Sequence, residues 1–122
     1  MARGLRKDTY DRIADARARN PLSLGPFLGA LACKANLSAG QVGDIVDAHE
    51  TTVFRWFFGQ AEIGPPWALK VCRLLSLLAW MNEKGALPLD GSADDRAKLL
   101  VKYSREFEAL MRGSSQQAAR AT

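Results

Sequence analysis

The sequence predicts a compact all-α fold of five to six helices, and three observations carry that expectation. Apolar residues recur at three- and four-residue spacing over several stretches. Proline, asparagine, serine and glycine punctuate those stretches where helices start and stop. No stretch alternates apolar and polar residues long enough to make a confident strand.

The chain has 122 residues, which suits one domain with arms. Hydrophobic residues make up 48%, enough for a core, and charged residues 25%, an ordinary share. The net charge of +4 admits an anionic partner without demanding one.

Residues 7–19 read as a first helix with a thin apolar face of Tyr10, Ile13 and Ala14. It ends at Asn20-Pro21, because the residue before proline is pushed out of the α region. Residues 26–35 read as a second helix with proline in its first turn and Phe27, Leu28, Leu31 and Ala32 facing inward. Asn36 stops it. Ser38 opens a third helix and forms a capping box with Gln41, while Val42, Ile45 and Val46 make its buried stripe. After a turn at Asp47-Ala48-His49, a fourth helix runs over 49–58, and Gly59 supplies the left-handed residue beyond it.

Gly64-Pro65-Pro66 breaks the chain before a long apolar helix over 66–83, which forms either the central core or a seam with a second subunit. Trp67 and Trp80 lie on it, and either role suits Trp80. Residues 85–92 form a loop, and Ser92 with Asp95 repeats the capping arrangement. The last helix covers 93–111, with a solvated face on which Arg96, Lys98, Lys102 and Arg105 balance Asp94, Asp95, Glu106 and Glu108. The expected organisation is therefore a basic N-terminal arm and helix (1–20), a core (21–84), a C-terminal helix for oligomerisation (85–112) and a disordered tail (113–122).

Several functional classes are expected to be absent. Cys33 and Cys72 read as reduced, buried thiols, and two scattered cysteines with one histidine cannot complete a four-ligand zinc site. No phosphate-binding loop, dinucleotide fingerprint or Cys-x-x-Cys pair is present, so neither enzymatic activity nor a cofactor is expected. His49 reads as a turn or groove residue rather than a catalytic base, since no nucleophile or paired carboxylate surrounds it in the pattern. The first residues lack the apolar run of a signal peptide, and the longest apolar run, 71–81, is interrupted by Arg73 and too short to span a bilayer. A cytoplasmic protein without membrane contact is the expectation.

Residues 39–58 fit a helix-turn-helix position by position. Val42 fills an apolar site. Gly43 provides the small residue that the second helix crosses closely. Val46 and Ala48 are buried positions, and Asp47 stands where the backbone turns left-handed, a conformation aspartate tolerates better than most. Val53 and Trp56 pack the second helix onto the first.

The run Thr52-Val53-Phe54-Arg55-Trp56, with Gly59 three residues beyond it, resembles the second-helix signature of the phage Cro/repressor-type (XRE-like) helix-turn-helix family, and the phage CII-type activators share the layout. The resemblance covers roughly residues 24–80. It implies a double-stranded DNA-binding transcriptional regulator, dimeric or higher, whose recognition helix is 49–58. By that resemblance His49, Glu50, Thr51, Phe54 and Arg55 enter the major groove, Thr52 bonds a phosphate, and Gln41 clamps the backbone through a helix N-terminus. Arg55 would fork onto guanine, Glu50 would accept from cytosine, and Phe54 would touch a thymine methyl.

Three features depart from that pattern. In 38–60, Asp44, Asp47 and Glu50 outweigh Arg55, for a net −2 with His49 neutral, although DNA affinity leans on phosphate neutralisation. Phe54 replaces a small polar residue, and Phe57 and Phe58 add further aromatic surface, so at least one of the three is expected to face outward. Basic residues of the arm, Arg3, Arg6 and Lys7 among them, are the expected compensation. Two alternatives stay open on these residues. One is a helix-turn-helix-derived protein-interaction module using Phe54, Phe57 and Phe58 on the transcription machinery or a host factor. The other is a small terminase-like DNA-packaging subunit.

Overall fold

The computed structural model describes residues 7–121, with side chains described through Gly113. Among the described residues six helices follow in order: α1 (Lys7–Arg19), α2 (Leu24–Ala35), α3 (Ala39–Val46), α4 (Glu50–Phe57), α5 (Pro65–Glu83) and α6 (Ala93–Ala121). There is no strand among the described residues.

The boundaries follow from local chemistry. Ser38 Oγ accepts from the Gln41 backbone N–H at 3.1 Å, and Gln41 Oε1 accepts from the Ser38 N–H at 3.0 Å, so the expected capping box opens α3. Asn36 and Asp47 close α2 and α3 in the left-handed region, at φ 66° and 62°. Their short polar side chains tolerate that conformation. Gly59 follows α4 with φ 70°. Ser92 and Asp95 cap α6 reciprocally, at 3.0 and 3.2 Å. The Ser92 backbone N–H and then its hydroxyl hold the Asp95 carboxyl below the ordinary carboxylate range.

The core forms where α2, α3, α4 and α5 meet, around Leu28, Val42, Val53, Trp56, Phe57, Val71 and Leu78. The close crossing of α2 over α4 depends on Gly25, where a Cβ would stand 2.3 Å from the Trp56 carbonyl oxygen. Leu89, in the loop before α6, is also buried. Its backbone N–H donates to the Ala35 carbonyl at 3.1 Å, and its own carbonyl accepts from Asn36 Nδ2 at 3.3 Å. The α5–α6 connection is thereby stitched to the end of α2.

Several expectations are corrected. The buried stripe of α1 is Thr9, Ile13 and Ala16, while Tyr10 and Ala14 face outward, a rotation set by how α1 lies on α2. The second helix begins at Leu24, because Pro26 lacks only an N–H that the first turn leaves unused. Ile45 is 40% exposed and lies outside the buried stripe of α3, which is only two turns long and buries one narrow face. Cys72 is exposed rather than buried, on the outer side of α5. Cys33 is half-buried, and desolvation pushes its thiol up to about 12, which keeps it protonated near neutral pH. The last helix continues past Gly113 to Ala121, because nothing beyond Gly113 is a proline or other strong helix breaker.

Arg96 is the largest departure. It was expected on the solvated face of the last helix and is instead 1% exposed. Its Nη1 donates to the Gly91 carbonyl at 2.9 Å, and its Nη2 approaches Gln41 Oε1 at 3.4 Å. Satisfied donors of this kind are what allow a guanidinium to be buried.

Candidate nucleic-acid interface

The helix-turn-helix unit is α3, the turn Asp47-Ala48-His49, and α4. Gly43 permits the tight approach of the turn, since a Cβ there would lie 2.4 Å from the Ala48 carbonyl oxygen. The turn is also held from behind by α5. Trp67 Nε1 donates to the Asp47 carbonyl at 3.2 Å and packs edge-on against Trp56, with ring centres 5.5 Å apart. Lys70 Nζ lies 3.9 Å from the Asp47 carboxylate, a wide and exposed pair that adds little energy. Trp80 packs on Tyr103 and Phe107, so both tryptophans of α5 are used within the chain.

Helix α4 buries Val53, Trp56 and Phe57 and turns its other side outward. Thr51 and Arg55, one turn apart, are exposed on that side beside Glu50. His49 is exposed and caps the helix, its Nδ1 accepting from the Thr51 backbone N–H at 3.2 Å. Glu50 leans towards the first turn of α3, close to where a Cβ on Gly40 would stand. Thr52 is half-buried.

The three phenylalanines largely serve the fold. Phe57 is fully buried. Phe54 and Phe58 are half-buried and stack at 5.6 Å, and the Arg12 guanidinium lies 3.8 Å over the Phe58 ring. That contact brings α1 to the C-terminal end of α4. A polar cleft of about 500 Å³ opens there, lined among others by Arg12, Arg19, Asn20 and Gln60. Arg19 also pairs with Asp15 at 2.8 Å, on the exposed side of α1.

The structure therefore leaves His49, Glu50, Thr51 and Arg55 exposed along α4 and its cap, and sets Arg12 and Arg19 of α1 beside the far end of the same helix. Lys7 is the exposed first residue of α1; Arg3 and Arg6 lie outside the described residues. Gln41 is not available in the manner expected. Its Oε1 is held by the capping box and faces Arg96, and its Nε2 donates to the Ala93 carbonyl at 3.1 Å. This side chain ties α3 to the start of α6 instead of reaching out to a phosphate. Gln41→Ala is accordingly expected to cost about 1–2 kcal/mol of stability in thermal or urea unfolding, through the lost cap and interhelix bond. In the sequence Arg12 is one charge among several between residues 3 and 19. Its place against Phe58 depends on two helices far apart in sequence, which no local signal announces.

Among the described residues, no three His, Cys, Asp or Glu side chains are grouped to hold a metal ion, and no helix is long and apolar enough to cross a membrane. Fold and surface together define an all-helical protein built around a helix-turn-helix whose second helix presents a polar face. No family model matches the chain, and neither a curated protein nor a solved structure matches it.

Proposed function

We propose that this chain is a non-enzymatic, sequence-specific double-stranded DNA-binding transcriptional regulator that works as a dimer or higher assembly. One observation carries the reading: α4 is anchored through Trp56 and clamped at its turn by Trp67, yet leaves Thr51 and Arg55 exposed on one face. A rigid short helix with a polar outer face is what major-groove reading requires. Charge distribution supports the same orientation. Asp47 and Glu50 stand at the start of α4, whereas Arg55 lies in its last turn and Arg12 of α1 sits over Phe58 at its far end. Phosphate contacts would then come from the α1 side, and base contacts from Arg55 and Thr51. The rival reading, a protein-interaction module using Phe54, Phe57 and Phe58, draws no support from a cluster that is buried or stacked within the chain.

The test is a salt-dependent titration of the protein against DNA from upstream of its own gene and against random duplex. Selective binding that weakens steeply with salt is expected. Arg55→Ala should cost about 1–3 kcal/mol on the selected site and little on random duplex. Absence of binding to either duplex at low salt would overturn the reading.

A further inference from the structure

Helix α6 has 29 residues, so at ~1.5 Å per residue it is about 43 Å long. Its first turn is fixed by Gln41 and Arg96, and among the helices it packs chiefly on α5. Where the two helices meet, they leave a groove of about 800 Å³, closed at one side by Ile45 of α3. Leu77, Leu100 and Phe107 form its apolar bed. Val101 and Met111, on the α6 wall, are 51% and 53% exposed, and Ile45 is 40% exposed. Leu110, just outside the groove on the same helix, is 54% exposed. Contiguous apolar surface of this kind marks an interaction site.

The charges of the groove identify its occupant. The α5 wall carries Lys70 and Arg73, and the α6 wall carries Glu108 with Arg112 one turn beyond it. Among the described residues neither Arg73 nor Glu108 forms an ion pair. A helix fitting this groove should therefore present apolar residues flanking an acidic one to the cationic wall. The exposed residues on the groove-facing side of α6 itself have that pattern, with Val101 and Met111 flanking Glu108 and Arg112 following at the end of the stripe. Ser104 lies on the same side, small enough to let two helices approach. Groove and ridge occur in one chain, which is the condition for a two-fold contact in which each surface meets itself.

We infer that the α5–α6 groove is the seat of α6 from a second copy of this chain, with Glu108 of each copy against Lys70 and Arg73 of the other. The inference rests on the oligomeric part of the reading above and not on DNA binding, and its test needs no DNA. Sedimentation equilibrium of the full chain should give about twice the monomer mass of 13.4 kDa. Met111→Glu and Arg73→Glu should each shift the mass towards the monomer with an unchanged helical circular dichroism spectrum. The double exchange Arg73→Glu with Glu108→Arg should restore the dimer. Leu22→Glu, at a residue 94% exposed and outside the groove, should leave the dimer intact. A monomeric wild-type chain, a dimer that persists in both single variants, or a double exchange that restores nothing would each overturn the inference.

Discussion

Trp56→Ala is expected to remove about 3–5 kcal/mol of folding stability, measured by urea unfolding followed by circular dichroism. The indole is 1% exposed, packs on Trp67 and lies where α2 crosses α4. Truncation leaves a cavity that its neighbours cannot fill, because the adjoining backbones are already in contact at Gly25. A domain of this size holds about 5–15 kcal/mol in total, so the variant should stand near the edge of folding. Trp56→Phe keeps most of the volume and should lose much less. A Trp56→Ala variant within about 1 kcal/mol of the parent would show that α4 is not anchored through this residue.

The second expected result is a contrast inside one short helix. Gly43→Ala should destabilise the protein by about 1–3 kcal/mol, whereas Gly40→Ala should leave stability unchanged or raise it by up to about 1 kcal/mol. Both substitutions gain the same helical propensity. At Gly43 the new Cβ meets a backbone oxygen, that of Ala48, at 2.4 Å, so the turn itself must move. At Gly40 the nearest atom is the end of the flexible Glu50 side chain at 3.3 Å, which can swing aside. Because the displaced element at Gly43 is the one that aims α4, the Gly43 variant should also lose any selective DNA binding at temperatures where it remains folded. Equal effects at the two glycines would overturn the account of the turn.

Much of the architecture was legible because the interactions that set it are local. The Ser38–Gln41 and Ser92–Asp95 caps span three residues, and the left-handed turns fall on Asn36, Asp47 and Gly59, residue types that accept that backbone. Val42 and Val46 were recognisable as buried from helical spacing, and Val53 and Trp56 from their positions in the helix-turn-helix pattern. The same spacing misplaced Ile45, Tyr10, Ala14 and Cys72. Periodicity names an apolar face but not the width of the face that a neighbour covers. The exposed face of α4 was also legible, since Thr51 and Arg55 follow from knowing which side is buried.

By itself the sequence determined the six helices, their caps, the helix-turn-helix and the anchoring of α4. Only the tertiary structure decided that Arg96 is buried, that Gln41 is spent on α6, that Arg12 covers Phe58 and that α5 and α6 frame an apolar groove. The physical reason is distance along the chain. Caps and helical faces arise between residues three or four apart, whereas the Gln41–Ala93 and Gln41–Arg96 contacts join residues 52 and 55 apart. A charged or amide side chain looks solvated in sequence, and it becomes structural only when a distant helix brings partners that replace water.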